Sequence, residues 1–398
     1  MLSSSSRDLI HASVPVLREH GETITRCFYT RMFERHPELK NLFNMGNQQS
    51  GAQQQSLASA LYAYAANIDN QDVLAPVVGR IVQKHVSLGV RAEHYPIVGE
   101  NLLGAIRETL GDAATPELID AWGEAYGLLA GALIDEEARV YREKGVQPGE
   151  FMPVRVARKV RESATVTSFH LEALDGGSLP AFQPGQYISL ALHVDALGLR
   201  QARQYSLSDA SRNDAWRISV KREADGSVSN LLHDDIDAGD IVEVSVPCGD
   251  FVLDEHAQER LVLIGAGVGI TPLLSMLHTS LDRWPERAVT LLYATRDGDH
   301  HPMKDEVEAL AGAHATFAVH VCYEAPLAAD EQGRDFDRAG RLELDTLEPA
   351  LLPRDGHYYI CGPEAFMQAQ RAALRARGID AARIQCEVFG PSLVAHLN

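Results

Sequence analysis

Cysteine is scarce in this 398-residue sequence, and no two cysteines form a C-x-x-C pair. The five are scattered along the chain: Cys27, Cys248, Cys322, Cys361 and Cys386. An odd number at this spacing excludes a disulfide framework, a zinc ribbon and a ferredoxin-type iron–sulfur cluster. The pattern fits a reducing compartment.

Long apolar runs and a surplus of positive charge are also absent. The first residues, MLSSSSRDLIHASVPVL, are interrupted by Arg7, Asp8 and His11, so no signal-peptide core forms there, and no later run approaches membrane-spanning length. Lys and Arg number 36 against 55 Asp and Glu, a net charge of −19. Nucleic acids and anionic membranes repel such a surface. We therefore expect a cytoplasmic protein without an integral membrane segment, nucleic acid or obligate protein partner, acting on small molecules.

The length and an ordinary composition, 45% apolar and 23% charged, indicate two or three globular domains. Residues 1–146 carry helical periodicity almost throughout, with no strand-like alternation. Two prolines and two glycines then cluster in GVQPGEFMP, from Gly145 to Pro153, where the pattern changes. The sequence therefore predicts an all-α domain over residues 1–146.

The remainder of the chain predicts two further domains. Residues 152–255 read as six short strands separated by turns, which is typical of a small antiparallel β-barrel. Over residues 258–398 strands alternate with helices, which predicts an α/β domain with a parallel sheet and ligands at the carboxyl ends of its strands.

A glycine-rich turn, GAGVGITP, follows an apolar strand and opens a helix at Gly265 to Pro272. Glycines there let backbone N–H groups approach a diphosphate, and the helix N-terminus favours its charge. Tight strand-to-helix turns favour glycine in any case, so this turn alone is weak evidence. A second glycine turn, YYICGP at Tyr358 to Pro363, ends another predicted strand of the same sheet and strengthens the prediction.

The barrel segment contains RQYSLS, from Arg203 to Ser208, which places a fixed cation, a phenol and hydroxyls along one strand. The alternative explanation is the ordinary polarity of a strand at a sheet edge. The functional interpretation is a flavin site, with the arginine on the pyrophosphate and the tyrosine against the ring.

The ordered motifs PGQY, RQYS, VKRE, GSVSN, GAGVGITP, CGP and EVFGP resemble the ferredoxin-NADP reductase superfamily from Met152 to Asn398. The resemblance implies an FAD site made of Tyr187, Arg203, Gln204, Tyr205, Ser206, Glu387, Val388, Phe389, Gly390 and Pro391. It also implies a nicotinamide dinucleotide site made of Gly267, Val268, Gly269, Ile270, Thr271 and Pro272. Ile270 stands where this superfamily commonly has a polar residue, and the choice between NADH and NADPH stays open.

In the helical domain His85 lies on an apolar face, since Ile81, His85 and Leu88 fall at i, i+4 and i+7. A buried imidazole needs a partner, which is either a carbonyl group or a metal ion. The residues alone leave both alternatives open. The other histidines, including His300 and His301, are interpreted as surface or capping residues.

The segments TRCFYTRMFERHPELKNLFNMGNQ and QKHVSLGVRAEHYPIVGE resemble the two haem-facing sides of a globin. Joined to the reductase motifs, they make the chain similar to the flavohaemoglobin family over essentially its whole length. The resemblance implies haem b with His85 as axial ligand, Tyr29 and Gln53 beside bound dioxygen, Phe43 on the porphyrin and Lys84 at a propionate. A solvated lysine explains Lys84 equally well.

Glu137 shares the apolar face of its predicted helix with Leu133 and Val140, where a carboxylate is costly unless it is bonded. The resemblance implies that Glu137 accepts a hydrogen bond from His85 and that Tyr95 donates to Glu137. The alternative makes Glu137 an exposed partner of Arg139 or Arg142.

Nitric oxide dioxygenase is the activity that the resemblance implies. NAD(P)H reduces FAD, FAD reduces the haem iron, and ferrous haem with dioxygen oxidises nitric oxide to nitrate. Two alternatives remain: a haem-linked peroxide or one-electron reductase, and a dioxygen carrier or sensor with a built-in haem reductase.

Overall fold

The computed structural model describes residues 2–257 and 259–390, and the chain in it divides into two compact units. The first unit contains residues 2–152 together with Ser189–Arg203 and Gly390. The second contains Pro153–Ile188 and the described part of Gln204–Phe389. One segment of the β-rich region thus groups with the helices rather than with its neighbours in sequence.

The N-terminal segment is helical, as predicted. Its α-helices are α1 (Ser4–Arg35), α2 (Met45–Gln49), α3 (Ala52–Ala66), α4 (Gln71–Leu88), α5 (His94–Leu110) and α6 (Pro116–Lys144). The side chain of the residue just before a helix can accept a hydrogen bond from a free N–H group of the first turn. Asn70 does this for α4 and Thr115 for α6. Glycines in the left-handed region end the same two helices, at Gly89 and Gly145.

Helix α1 packs against α3, α5 and α6, and α4 packs against α6. The core between these helices is apolar and includes Ile24, Phe28, Met32, Ala125 and Trp122. Burial of each such large side chain contributes about 1.5–3 kcal/mol to folding. The packing of α4 on α6 brings the helix that carries His85 against the helix that carries Glu137.

The predicted barrel region consists of β1 (Met152–Arg161), β2 (Val166–Ala173), β3 (Tyr187–Val194), β4 (Leu199–Ser206), β5 (Trp216–Lys221) and β6 (Ile241–Val244), with α7 (Ser227–Asp234) before β6. These strands form an antiparallel sheet in the order β4-β3-β6-β1-β2-β5. Among the described residues, these strands do not pair continuously into a closed barrel. A single antiparallel bridge, Leu207 to Ile218, joins the residue after β4 to β5.

The C-terminal region is the predicted α/β domain. Its elements are β7 (Leu261–Ala266), α8 (Ile270–Arg283), β8 (Val289–Thr295), α9 (Lys304–Ala313), β9 (Phe317–Tyr323), β10 (Arg338–Ala339), β11 (His357–Cys361), α10 (Glu364–Ala376) and β12 (Ile384–Glu387). The sheet is parallel, in the order β10-β9-β8-β7-β11-β12. Its strand order reverses between β7 and β11, so the carboxyl ends of these two strands are neighbours.

Within residues 2–257 and 259–390, no helix combines the length and the apolar character needed to cross a bilayer.

Candidate functional site

His85, Glu137 and Tyr95 form one hydrogen-bonded group between α4, α5 and α6. Nδ1 of His85 lies 2.8 Å from Oε1 of Glu137 and 3.0 Å from the Tyr95 hydroxyl oxygen. The Tyr95 hydroxyl donates to the same Oε1 at 2.5 Å. With Nδ1–H donating to a carboxylate, the proton is fixed on Nδ1 and Nε2 keeps its lone pair.

The surroundings of Glu137 explain why a carboxylate is tolerated there. The residue is 3% exposed, so its charge depends on the donors that face it. The neighbouring Glu136 is only half-buried and forms an ion pair with Arg139. Burial, and then the hydrogen bond to Glu137, raise the pKa of Tyr95 well above its ordinary value. The Tyr95 hydroxyl therefore remains a donor at any physiological pH.

Tyr29 of α1 lines a cavity of about 330 Å³. The other residues that line it are Arg26, Thr30, Phe33, Met45, Gln48 and Gln54. Tyr29 is 4% exposed, and burial raises the pKa of its phenol well above the ordinary value, while the nearby amides of Gln53 and Gln48 act in the opposite direction. The structure thus brings Tyr29 and Gln53 together.

Phe43 belongs to an aromatic cluster beside that cavity. Its ring meets the rings of Tyr29 and Phe33 edge-on, with centroids 5.7 and 5.4 Å away. Lys84 lies next to His85 on α4, and its Nζ donates to the Gly390 carbonyl oxygen at 3.3 Å. The cluster gives this side of the cavity an aromatic, apolar surface.

These residues fit a haem group. Nε2 of His85 has no hydrogen-bond partner among the described residues, and neutral imidazole is the commonest nitrogen ligand of iron. A carboxylate on the far nitrogen of a ligating histidine is the usual way to fix its tautomer.

The two glycine turns of the α/β domain meet at the carboxyl ends of β7 and β11. A Cβ atom added to Gly269 would lie 2.3 Å from the carbonyl oxygen of Cys361, so only glycine permits this approach. Ile270 is fully buried and the Thr271 hydroxyl donates to the Val268 carbonyl at 3.0 Å. Contacts from this turn to a dinucleotide would therefore come from backbone N–H groups, and the side chain of Ile270 cannot supply one.

The proposed flavin residues lie at three places in the chain. Tyr187 opens β3, and its backbone exchanges hydrogen bonds with Cys248 at 2.9 and 2.8 Å. The last four residues of β4 are Arg203, Gln204, Tyr205 and Ser206. The third place follows β12, where Phe389 is 44% exposed, as a ring that stacks on a flavin must be before the flavin binds. Pro391 lies outside the described residues.

The structure also contains groups that the sequence did not reveal. Gln48 and Gln54 line the Tyr29 cavity, although Gln48 belongs to NMGNQQSG, which reads as an ordinary turn. Arg217 of β5 forms a bidentate ion pair with Glu306 of α9, at 2.7 and 2.9 Å.

The interpretation of His301 as a surface or capping residue is wrong. It is 5% exposed, bonds to the Tyr323 hydroxyl and packs against the Tyr293 ring.

Three family models match the chain. They are a globin over residues 26–133, an oxidoreductase FAD-binding domain over residues 153–253 and an oxidoreductase NAD-binding domain over residues 263–372.

Among curated proteins, a flavohemoprotein of Chromobacterium violaceum is 53% identical, over 98% of both chains. The crystal structure of flavohemoglobin from Malassezia yamatoensis with bound FAD and heme covers 98% of this chain and all of its own, at 30% identity and a TM-score of 0.88. The FAD/NAD-binding domain of a nitric oxide dioxygenase from Vibrio cholerae covers 60% of this chain and 99% of its own, at 41% identity and a TM-score of 0.55.

The globin model and the two reductase models, with the haem- and FAD-containing structure, confirm the expected cofactors: haem, FAD and a nicotinamide dinucleotide.

Proposed function

Because the chain belongs to the flavohemoprotein family, we propose that it is an NAD(P)H-dependent nitric oxide dioxygenase. The observation that carries the proposal is the hydrogen bond from His85 to the buried carboxylate of Glu137. A protein that only stores dioxygen does not require an anion hydrogen-bonded to the histidine that binds the iron. A protein that activates dioxygen gains from the electron density that such an anion provides.

When bound, haem supplies an iron for dioxygen and nitric oxide chemistry, and FAD converts the hydride of NAD(P)H into single electrons. His85 would hold the iron through Nε2. Glu137 keeps the imidazole proton on Nδ1 and makes the ring a stronger electron donor. Tyr95 fixes the carboxylate by donating to it from the side of α5.

In the cavity that Tyr29 lines, Tyr29 and Gln53 would bind the dioxygen molecule. A buried phenol that stays protonated can donate one hydrogen bond to a polar ligand in the cavity. Phe43 and Phe33 keep water away from that hydrogen bond, which strengthens it. Lys84 would face a haem propionate.

In the reductase region, backbone N–H groups at Gly267–Gly269 would bind the dinucleotide diphosphate at the start of α8. Arg203 would bind the FAD pyrophosphate, while Tyr205 and Ser206 would contact the flavin. Each NAD(P)H delivers two electrons, and each nitric oxide needs one electron and one dioxygen to become nitrate.

The experiment is turnover of the purified, haem- and FAD-loaded protein with both gases present. Nitric oxide and dioxygen should disappear in equal amounts, nitrate should form in the same amount, and half as much NAD(P)H should be oxidised. Rapid NAD(P)H oxidation with peroxide that ignores nitric oxide would identify a one-electron or peroxide reductase instead. Slow nitric oxide loss beside tight, reversible dioxygen binding would identify a carrier or sensor.

A further inference from the structure

Two amide side chains at the Tyr29 cavity each have a buried atom without a hydrogen-bond partner among the described residues. The atoms are Nε2 of Gln48 and Oε1 of Gln54, and Gln54 as a whole is 8% exposed. Leaving a buried donor or acceptor unpaired is costly, so such atoms in a folded protein point to a function. Both residues line the same cavity as Tyr29.

The contacts between the two amides determine where the oxygen and the nitrogen of each amide lie. Nε2 of Gln54 donates to two acceptors, Oε1 of Gln48 at 2.9 Å and the Gln48 carbonyl at 3.2 Å. Turning the Gln54 amide over would place oxygen against both acceptors, and turning Gln48 over would place donor against donor. The NH₂ group of Gln48 is therefore directed away from Gln54.

The backbone around these amides is anchored. Oδ1 of Asn44 accepts from the Asn47 N–H at 3.2 Å and starts the single turn of α2. Gly51, with φ of +78°, comes just before α3 in a conformation that favours glycine. The Thr25 hydroxyl of α1 donates to the Gln54 carbonyl at 2.9 Å. A side chain on such a fixed backbone can orient a neighbour without much loss of entropy.

The Tyr29 phenol is the neighbour that the Gln48 amide can serve. A hydroxyl group has one donor and two acceptor positions. When one acceptor position is occupied by an amide N–H, the O–H hydrogen is left to point elsewhere. Burial raises the pKa of the Tyr29 phenol, and the amides of Gln53 and then Gln48, which both lie close to it, act in the opposite direction. Hydrogen bonds of this kind often tighten only when the ligand is in place.

We propose that Gln48 is a positioning residue for Tyr29: its amide nitrogen donates to the phenol oxygen, so that the phenol hydrogen points at a diatomic ligand in the cavity. Nε2 of Gln54 donates to the side-chain Oε1 of Gln48 and thereby sets the direction of the Gln48 amide nitrogen. This role rests on the proposed dioxygen chemistry at Tyr29. It adds two positioning residues, outside the helix face that carries Gln53, that act on the ligand through the Tyr29 phenol.

The test uses the full-length protein loaded with haem and FAD. Gln48→Met removes the donor at similar size, and Gln54→Met releases the Gln48 amide without altering Gln48. Gln49→Met is the matched control, because Gln49 is an exposed neighbour on the same turn. The readouts are the stretching frequency of carbon monoxide on the ferrous protein and the dioxygen dissociation rate.

We expect Gln48→Met to move the carbon monoxide band to higher frequency and to speed dioxygen release about two- to tenfold, as for one neutral hydrogen bond. Gln54→Met should move both readouts in the same direction by less. In a Tyr29→Phe background, Gln48→Met should change neither readout, since the two residues act through one bond.

The proposal is overturned if Gln48→Met behaves like Gln49→Met, or if its effect persists in the Tyr29→Phe background. Nitric oxide is absent from both readouts, so they separate this proposal from the proposed activity. If the carbon monoxide band shifts as expected but the protein does not turn over nitric oxide, the proposed dioxygenase activity is rejected and the role of Gln48 is not.

Discussion

The Nδ1 atom of His85, a partly exposed side chain, lies 2.8 Å from a carboxylate oxygen of the buried Glu137, where α4 packs against α6. This contact assigns different tasks to the two ring nitrogens. Nδ1 holds the proton that the carboxylate accepts, and Nε2 is left as the basic nitrogen. A full negative charge on Glu137 makes Nε2 more basic than it would be beside a neutral acceptor.

Replacing Glu137 with glutamine should therefore raise the haem reduction potential. The amide can still accept from His85 and Tyr95, but it lacks the charge that stabilises ferric iron. Potentiometry on the purified variant checks this, and nitric oxide turnover should slow while haem stays bound. Glu136→Gln is the control, since Glu136 bonds to Arg139 on the surface. An equal potential in the two variants would contradict the role of Glu137.

The haem site and the reductase should also be separable by mutation. His85→Ala removes the imidazole that would bind the iron, so haem should be lost. FAD content and NAD(P)H oxidation with ferricyanide as acceptor should remain. His11→Ala is the control, because His11 is exposed and pairs with Asp69. Normal haem absorbance in His85→Ala would show that another residue binds the iron.

Helical periodicity predicted where His85 and Glu137 lie on their helices. It placed His85 and Glu137 on apolar faces, because side chains at i, i+4 and i+7 share one side of a helix. Gln48 escaped the same reasoning, since it lies on a single turn that is too short for periodicity. The order of the strands in the antiparallel sheet depends on pairing between distant parts of the chain, which local patterns do not encode.

Gly269 offers a steric test of the dinucleotide site. A methyl group there would lie 2.3 Å from the Cys361 carbonyl oxygen, so the two glycine turns would have to separate. Overpacking of this kind costs about 1–3 kcal/mol, or roughly five- to a hundredfold in dinucleotide affinity. The KM for NAD(P)H with ferricyanide measures the effect in Gly269→Ala. Gly312→Ala, with open space around its Cβ position, should leave that KM unchanged.

The Arg217–Glu306 pair predicts how stability depends on pH. Burial by itself raises the pKa of the Glu306 carboxyl, but hydrogen bonds from His278 and Arg217 outweigh it and hold the pKa at about 2. The unfolded value is about 4.3, so the pair stabilises the fold fully above that pH and loses its contribution as pH falls towards 2.

Glu306→Gln should therefore lower the unfolding free energy by about 3 kcal/mol at pH 7, and the difference from the unmodified protein should shrink below about pH 4. Flavin fluorescence during denaturant unfolding at a series of pH values measures this. Glu308→Gln on the same helix serves for comparison, since Glu308 is exposed. A loss that is constant over pH would mean that Glu306 acts through packing and not through its charge.

Gln201, on β4, is a fully buried amide that bonds to the loop between α1 and α3. Its Nε2 donates to the Lys40 carbonyl at 3.0 Å, and its Oε1 accepts from the Met45 N–H at 3.1 Å. A chain shortened to residues 1–146 would lose both bonds, and water would take their place in the loop that leads to Gln48. Gas affinities measured on an isolated globin fragment would then describe a looser cavity than that of the intact protein.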